Sequence, residues 1–410
     1  MPRPKTYAEL SLSFQVVPRF DFRVRFCVAK ERGDRQYDQD RHLLAPELGL
    51  FALADGMGGG HAGDLAADAA ILALRAAVAE SKSQNAADAY NQSSDIERRR
   101  YLLKKLRCAV EAANTAVRKL ALEQANERGM GTTLDAVWLA RSSALIAHAG
   151  DSRVYLARAR TVLQLTHDHV PVDALAAQGL LRPSPRLQSG ALTNALGLRD
   201  EVGVDTLFVE LTRGDRLLLC SDGVHTELRS ETELAEILRS GPIERAAEAL
   251  VKRTGRTGRD NATALIIEVG ERFVTRPNPD RGVAAQDLEH AGQAPLLSDL
   301  PRPLVLQALA AAVEVEIKVG DSVPRVVAND LVAYIVLEGM VRCAGDRLVT
   351  TGALLFGESL VGVWKQGGLP VAEEPCRVLR IRYDDFREVC ADAGLGVELY
   401  RRLAAHLARS

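Results

Sequence analysis

Aspartates standing at the ends of apolar runs constrain this chain more than any other feature. The clearest stretch is ALADGMGGGHAGDLAADAAI, residues 52–71, where apolar residues lead into Asp55, a burst of glycines and an alanine-rich helix. A tight strand-to-helix turn explains the glycines through positive φ, with Asp64 in the first helical turn. A ligand loop explains them equally well, the glycines letting backbone approach an ion or a phosphate. Asp40 in RQYDQDR, Asp151 in HAGDSRVY, Asp222 in LLLCSDGV and Asp260 in GRDNATALII repeat the pattern. One carboxylate at a strand end is ordinarily a turn former. Several whose strand ends converge would raise one another's pKa strongly unless a cation lay among them. An all-oxygen, carboxylate-rich set without paired His or Cys suits hard divalent ions, Mg²⁺ or Mn²⁺ rather than Zn²⁺. On that reading Gly56 leaves its carbonyl accessible, and the missing side chains leave room for metal-bound water.

Periodicity divides the rest of the chain. Residues 12–29 alternate as a strand does, a pattern clearest in FRVRFCVAK, residues 22–30. Residues 64–80 and 98–126 read as helices; in the second, Leu102, Leu106, Val110, Ala113, Val117 and Leu120 share one face. The polar SKSQNAADAYNQSSD between them reads as a loop or a helix interruption. Strand-like runs then crowd in from Thr132, Ser143, Val204, Asp215 and Ala262. Many strands beside a few long helices indicate an α+β sandwich. The segment 271–300, with little periodicity and several Pro and Gly, reads as a linker. Beyond it, a short helix at Leu304–Ala312 and glycine-punctuated short strands suggest a small β-roll or jelly roll over 301–410, ending in a helix.

The ordered series RQYDQD, LADGMGGGHAGD, GMGTTLDAVWL, HAGDSRVYLA, LTHDH, LLLCSDGV and RDNATALII resembles the bacterial metal-dependent protein phosphatase (protein phosphatase 2C) family over residues 12–270. The resemblance implies a four-layer α-β-β-α sandwich and a cytoplasmic serine/threonine phosphoprotein phosphatase. It makes Asp55 the carboxylate bridging two Mn²⁺ or Mg²⁺ ions, with Gly56 lending its carbonyl. Asp222 and Asp260 complete the pair, Asp40 acts directly or through water, and Asp151 holds a third, weaker ion. Arg35 matches the arginine that grips the substrate phosphate, a role suited to a guanidinium fork. Two such ions can lower the pKa of a bridging water and hold the hydroxide in line with phosphorus. Met57 stands where some relatives carry a proposed general-acid histidine, and His61 reads as a loop residue. Asp38 and Gln39 replace a frequent Asn and Glu. VPVDALAAQGLLRPSPRLQSGALTNALG corresponds to the flap that biases substrate choice.

Residues 301–410 resemble a cyclic-nucleotide-binding β-roll, chiefly through FGESL and CRVLRIRYDDF. The resemblance places Gly357 and Glu358 at the nucleotide's phosphate and ribose. The arginine expected soon afterwards is missing; VWKQGGLPVAEEP offers Lys365, Glu373 and Glu374 instead. A buried phosphate without a cationic partner costs several kcal/mol. The expectation is therefore a degenerate site, with the β-roll kept for homodimerisation or partner docking.

Composition excludes other classes. A formal net charge of −2 over 410 residues recruits neither nucleic acid nor anionic lipid. No apolar run is long enough to span a membrane, and the N-terminus lacks a signal-peptide core. The six cysteines form no CxxC pair, which argues against structural zinc and for a reducing compartment. Cys220 reads as strand core rather than nucleophile. Abundant arginine and alanine suggest a GC-rich bacterial source. Two alternatives stay open: a catalytically weak, phosphoprotein-binding regulator, and a phosphatase controlled by a cyclic nucleotide. A transcription factor fails, since no helix-turn-helix follows the β-roll.

Overall fold

Alternation in FRVRFCVAKE builds the first long strand. In the computed structural model, β3 (Phe22–Glu31) buries Val24, Phe26 and Val28 on one face, while Cys27 and Ala29 pack with residues of a helix on the other. The structure describes residues 6–10, 13–93, 95–123, 129–159, 161–170, 192, 194–257, 260–274, 287–310, 312–327, 330–364, 367–390 and 393–409. The flap segment lies largely outside them, as does Lys365.

The chain divides into two compact units, the second made chiefly of Asn278–Ser410. In the first, one sheet runs β1 (Thr6–Leu10), β3, β13 (Ala262–Arg272), β12 (Arg216–Cys220), β9 (Arg153–Arg158), β10 (Thr161–Gln164), with β2 (Gln15–Val16) paired to β3. The other runs β11 (Asp205–Glu210), β8 (Ser143–Ala149), β7 (Leu134–Ala140), β5 (Leu50–Met57), β4 (Asp40–Ala45), with β6 (Gly131–Thr132) on β5. The two sheets meet face to face, as the rings of Phe26 and Phe51, 5.1 Å apart, illustrate. Helices α1 (Ala62–Ala79), α2 (Ser81–Gln92) and α3 (Ile96–Glu123) belong to the second sheet's outer side, and α4 (Glu231–Arg239) and α5 (Ile243–Thr257) cover the first. This is the expected α-β-β-α sandwich. β7 and β8 are buried along their whole length, which is why VWLA and SALIAHA read as continuous apolar runs rather than alternating ones.

Two details depart from the sequence reading. The polar 81–92 stretch is a helix, α2, because Ala86, Ala87 and Tyr90 supply one buried face that its low overall hydropathy hides. The 271–300 segment is not a linker throughout. β13 runs on to Arg272, and a helical turn at Leu288–Ala291 buries Leu288 and Ala291, followed by buried Leu296 and Leu297. Asp287 also pairs with Arg377 at 2.7 Å inside the second unit.

That second unit holds a sheet of strands Val313–Ile317, Cys376–Arg382, Asp330–Glu338 and Val326–Val327, with Leu354–Leu355 on its third strand. A smaller sheet joins Leu348–Val349, Val341–Arg342 and Val371–Ala372. Ile317, Val323, Tyr334, Val336 and Val378 form its core, and helices Arg302–Ala308, Tyr383–Val389 and Ala393–Leu407 flank the strands. Among the described residues no helix is long and apolar enough to cross a membrane.

Candidate metal centre

Antiparallel pairing gathers the aspartates at one edge of the sandwich. Asp40 opens β4 directly opposite Asp55 near the end of β5. Cys220, at the end of β12, pairs with Ala264 of β13 on one side and Arg153 of β9 on the other. Asp222 follows β12, Asp260 precedes β13 and Asp151 turns between β8 and β9, so strand order alone brings the three to the same edge. The glycines after Asp55 answer to packing as well as to chemistry. A Cβ on Gly56 would stand 2.0 Å from the carbonyl oxygen of Gly63, so the strand end can approach α1 only without side chains. Gly58 has φ +142°, a conformation other residues avoid.

A cavity of about 230 Å³ opens at this edge, lined by Asp55, Asp151, Asp222, Asp260, Gly56 and Arg35, with Gln39, Thr133 and Asn261 among its other walls. Asp55 is fixed through its backbone: its N–H donates to Thr133 Oγ1 (2.9 Å), and its carbonyl accepts from Thr133 N–H (2.9 Å) and Thr132 Oγ1 (2.9 Å). Asp40 stands behind it, fully buried and not itself a cavity wall. Its Oδ2 accepts from Ser221 Oγ (2.8 Å) and Thr263 Oγ1 (2.6 Å). Its Oδ1 is buried and has no hydrogen-bond partner among the described residues. Asp151's carbonyl accepts from His225 Nε2 (2.9 Å), joining that turn to the helical turn that Asp222 begins. Below it, fully buried His148 pairs with Asp135 at 2.7 Å.

The electrostatics are those of crowded like charge. Burial pushes the Asp55 carboxyl well above its usual range, and Asp40, Asp222, Asp151 and Asp260 push it further. Burial lifts Asp222 to about 6, with Asp151 and Asp260 adding to the rise. Asp151 also rises to about 6, from burial and from Asp168. In Asp40 burial outweighs the opposing pull of Lys30, again to about 6. Asp55 and Asp222 face the same cavity, where neighbouring carboxylates are reconciled only by a proton or a cation. Arg35 reaches in from the solvent side, its Nη2 2.7 Å from Asp260 Oδ2, an interaction that raises its own pKa.

The donor set fits a hard divalent cation: carboxylates and a strand-end carbonyl, an orphaned carboxylate oxygen on Asp40, and excess negative charge. Among the described residues, no three His, Cys, Asp or Glu side chains are already drawn in closely enough to hold one ion. The cysteines offer no rival chemistry. Cys220 is fully buried, and burial drives its thiol pKa far up, the opposite of a nucleophile. His61 stands outside the cavity's walls, its ring 3.9 Å from that of Tyr37 and its Nδ1 3.2 Å from Asp64. Thr133, Ser221, Thr263 and Asn261 are the supporting residues that sequence reading passed over. Each lies inside a motif already quoted, the only signal the sequence held.

In the second unit, Gly357 and Glu358 begin a short 3-10 turn. Arg325 lies 3.4 Å from Glu358, with its guanidinium 4.4 Å from the Phe356 ring centroid and 5.5 Å from that of Trp364. Glu373 is engaged by Arg342 at 2.6 Å.

Residues 29–252 match the protein phosphatase 2C family. The serine/threonine phosphatase stp of Listeria monocytogenes is 35% identical over 224 residues, 53% of this chain and 84% of that protein. Protein phosphatase PhpP of Streptococcus pneumoniae is 34% identical over 249 residues, 60% of this chain and 95% of PhpP. The crystal structure of the Mycobacterium tuberculosis serine/threonine phosphatase PstP/Ppp superposes with a TM-score of 0.52 at 30% identity, covering 60% of this chain and 99% of that one. A PstP catalytic domain in complex with two manganese ions gives 0.50 at 31% identity, with the same coverage.

Proposed function

The chain belongs to the protein phosphatase 2C family, and on that footing we propose that its carboxylate-lined cavity removes phosphate from phosphoserine and phosphothreonine in proteins. It is a protein-serine/threonine phosphatase that depends on Mn²⁺ or Mg²⁺. The observation that carries the site assignment is the convergence of Asp55, Asp151, Asp222 and Asp260 on one cavity, with Arg35 at its rim.

Asp55, Asp222 and Asp260, with the Gly56 carbonyl, are the residues that would hold two ions; Asp40 supports them from behind, and Asp151 would take a third. Such ions supply a low-pKa water as nucleophile and screen charge on the phosphoryl oxygens. The chain's own side chains do the rest. Arg35 binds the phosphate through its fork, exchanging Asp260 for phosphoryl oxygens. Thr132 and Thr133 hold Asp55 by its backbone, leaving its carboxylate directed to the cavity. Ser221 and Thr263 orient Asp40 so that one oxygen stays available. Hydrolysis of p-nitrophenyl phosphate and of a phosphothreonine peptide, with Mn²⁺ and with chelator, tests the reading. A chain that binds phosphopeptide without turnover would instead be the catalytically weak regulator.

For residues 301–410 we propose a regulatory or docking role through protein contacts, by self-association or a partner, rather than through a cyclic nucleotide. Glu358 is already matched by Arg325, and Trp364 leaves 57% of its surface exposed beside exposed Val363. The test is the oligomeric state and phosphoprotein range of the full chain against one ending after β13.

A further inference from the structure

We propose that Asn261 is the positioning residue for Arg35. The inference rests on reading Arg35 as the phosphate-binding residue. Arg35 lies in the segment joining β3 to β4, and its side chain is 54% exposed. An exposed arginine carries large rotamer entropy, so something must present its backbone in one place for its fork to meet a phosphate.

Asn261 reaches both ends of that segment. Its Nδ2 donates to the carbonyl of Arg32 (2.8 Å) and to that of Tyr37 (3.0 Å), and its Oδ1 accepts from the N–H of Gln39 (2.9 Å). The residue is 5% exposed and forms part of the cavity wall. Only a primary amide satisfies this set: two carbonyls need two donors from one atom, and one N–H needs an acceptor. An aspartate would face both carbonyls with lone pairs. The neighbouring residue, Asp260, receives Arg35's guanidinium. One dipeptide thus clamps the backbone on both sides of Arg35 and marks where its fork lies. Lys30 binds the same segment, at Asp38 (2.7 Å) and the Asp40 carbonyl (2.8 Å), on the β4 side. Asn261 holds the Arg32 side as well, so its loss frees the stretch that carries Arg35.

The experiment is a double-mutant cycle on the full chain, comparing Asn261→Ala, Arg35→Ala and the double variant. KM and kcat for p-nitrophenyl phosphate are read together with the inhibition constant of inorganic phosphate, Mn²⁺ binding by calorimetry and the thermal melt. Asn261→Ala is expected to raise KM and the phosphate inhibition constant about tenfold, with kcat held within about threefold and Mn²⁺ affinity unchanged. In the Arg35→Ala background the same change should add less than about twofold. Equal factors in both backgrounds, or lost Mn²⁺ affinity with unchanged KM, overturn the proposal while leaving Arg35's role intact. Unchanged kinetics in Arg35→Ala overturn that role and the proposal with it. Should the alanine variant not fold, Asn261→Ser, which keeps one donor, carries the same comparison.

Discussion

Both units place acidic side chains at turns, and they treat that charge in opposite ways. In the first, four carboxylates face one cavity, and their crowding raises the pKa of Asp55. In the second, Glu358 meets Arg325, itself covered by Phe356 and Trp364. Crowded like charge in a cavity lacks internal compensation and is completed by a cation from outside. A carboxylate matched by an arginine that is itself largely buried, 10% exposed against 54% for Arg35, is a finished structural contact, and admitting an anionic ligand there would mean breaking it away from water. The difference separates a site open to a cation from an ion pair already closed, where the surrounding motifs, LADG and FGES, look equally suggestive.

The largest effect should come from removing what completes the first site. EDTA is expected to abolish p-nitrophenyl phosphate hydrolysis, and Mn²⁺ or Mg²⁺ to restore it. Asp222→Asn should lower kcat by about 100-fold or more through weaker ion binding. Full activity in chelator would erase the contrast between the units.

Arg35→Ala comes next. A lost charge-assisted hydrogen bond to phosphate predicts a fall in kcat/KM equivalent to about 1.5–3 kcal/mol, with calorimetric Mn²⁺ affinity little changed. Unaltered kinetics would reduce Arg35 to a partner of Asp260.

On the other side of the comparison, Arg325→Ala should destabilise the second unit by about 1–2 kcal/mol in urea unfolding, by stranding Glu358 and removing the aromatic contacts. The figure stays below that of a fully buried pair because Glu358 keeps some access to water. The intact chain should show no micromolar binding of cyclic AMP or cyclic GMP by calorimetry. Saturable binding would mean that Arg325 exchanges Glu358 for a phosphate, making the two sites alike.

The smallest effect concerns pH. Burial disfavours a charged ring at His148, but Asp135 beside it wins and raises the pKa from 6.5 to about 9. Burial also raises Asp135. Both shifts mean that the folded chain holds protons more tightly than the unfolded one, so stability falls as pH rises. The His148 contribution is complete below about 6.5 and is lost through about 9. His148→Asn should flatten the decline in melting temperature between those limits; an unchanged slope would place its origin elsewhere.

Much of this was legible in the residues. Alternation in FRVRFCVAKE, continuous apolar runs in β7 and β8, and the shared face of α3 determined which segments pair or pack, because period and burial are local properties of a chain. The aspartates at strand ends, with oxygen-only ligands, determined the kind of ion. Helix α2 escaped, since its buried face of Ala86, Ala87 and Tyr90 matters only against its neighbours. In the sequence Gly56 offers an accessible carbonyl and room for a ligand, and only the proximity of Gly63 reveals that it is also room for a helix. Tertiary structure alone decided what each charge meets. Arg325 stands well before Glu358 in the chain and Asn261 more than two hundred residues after the loop it clamps; distances of 3.4 Å and 2.8 Å across such separations are set by sheet order and packing, to which no local pattern responds.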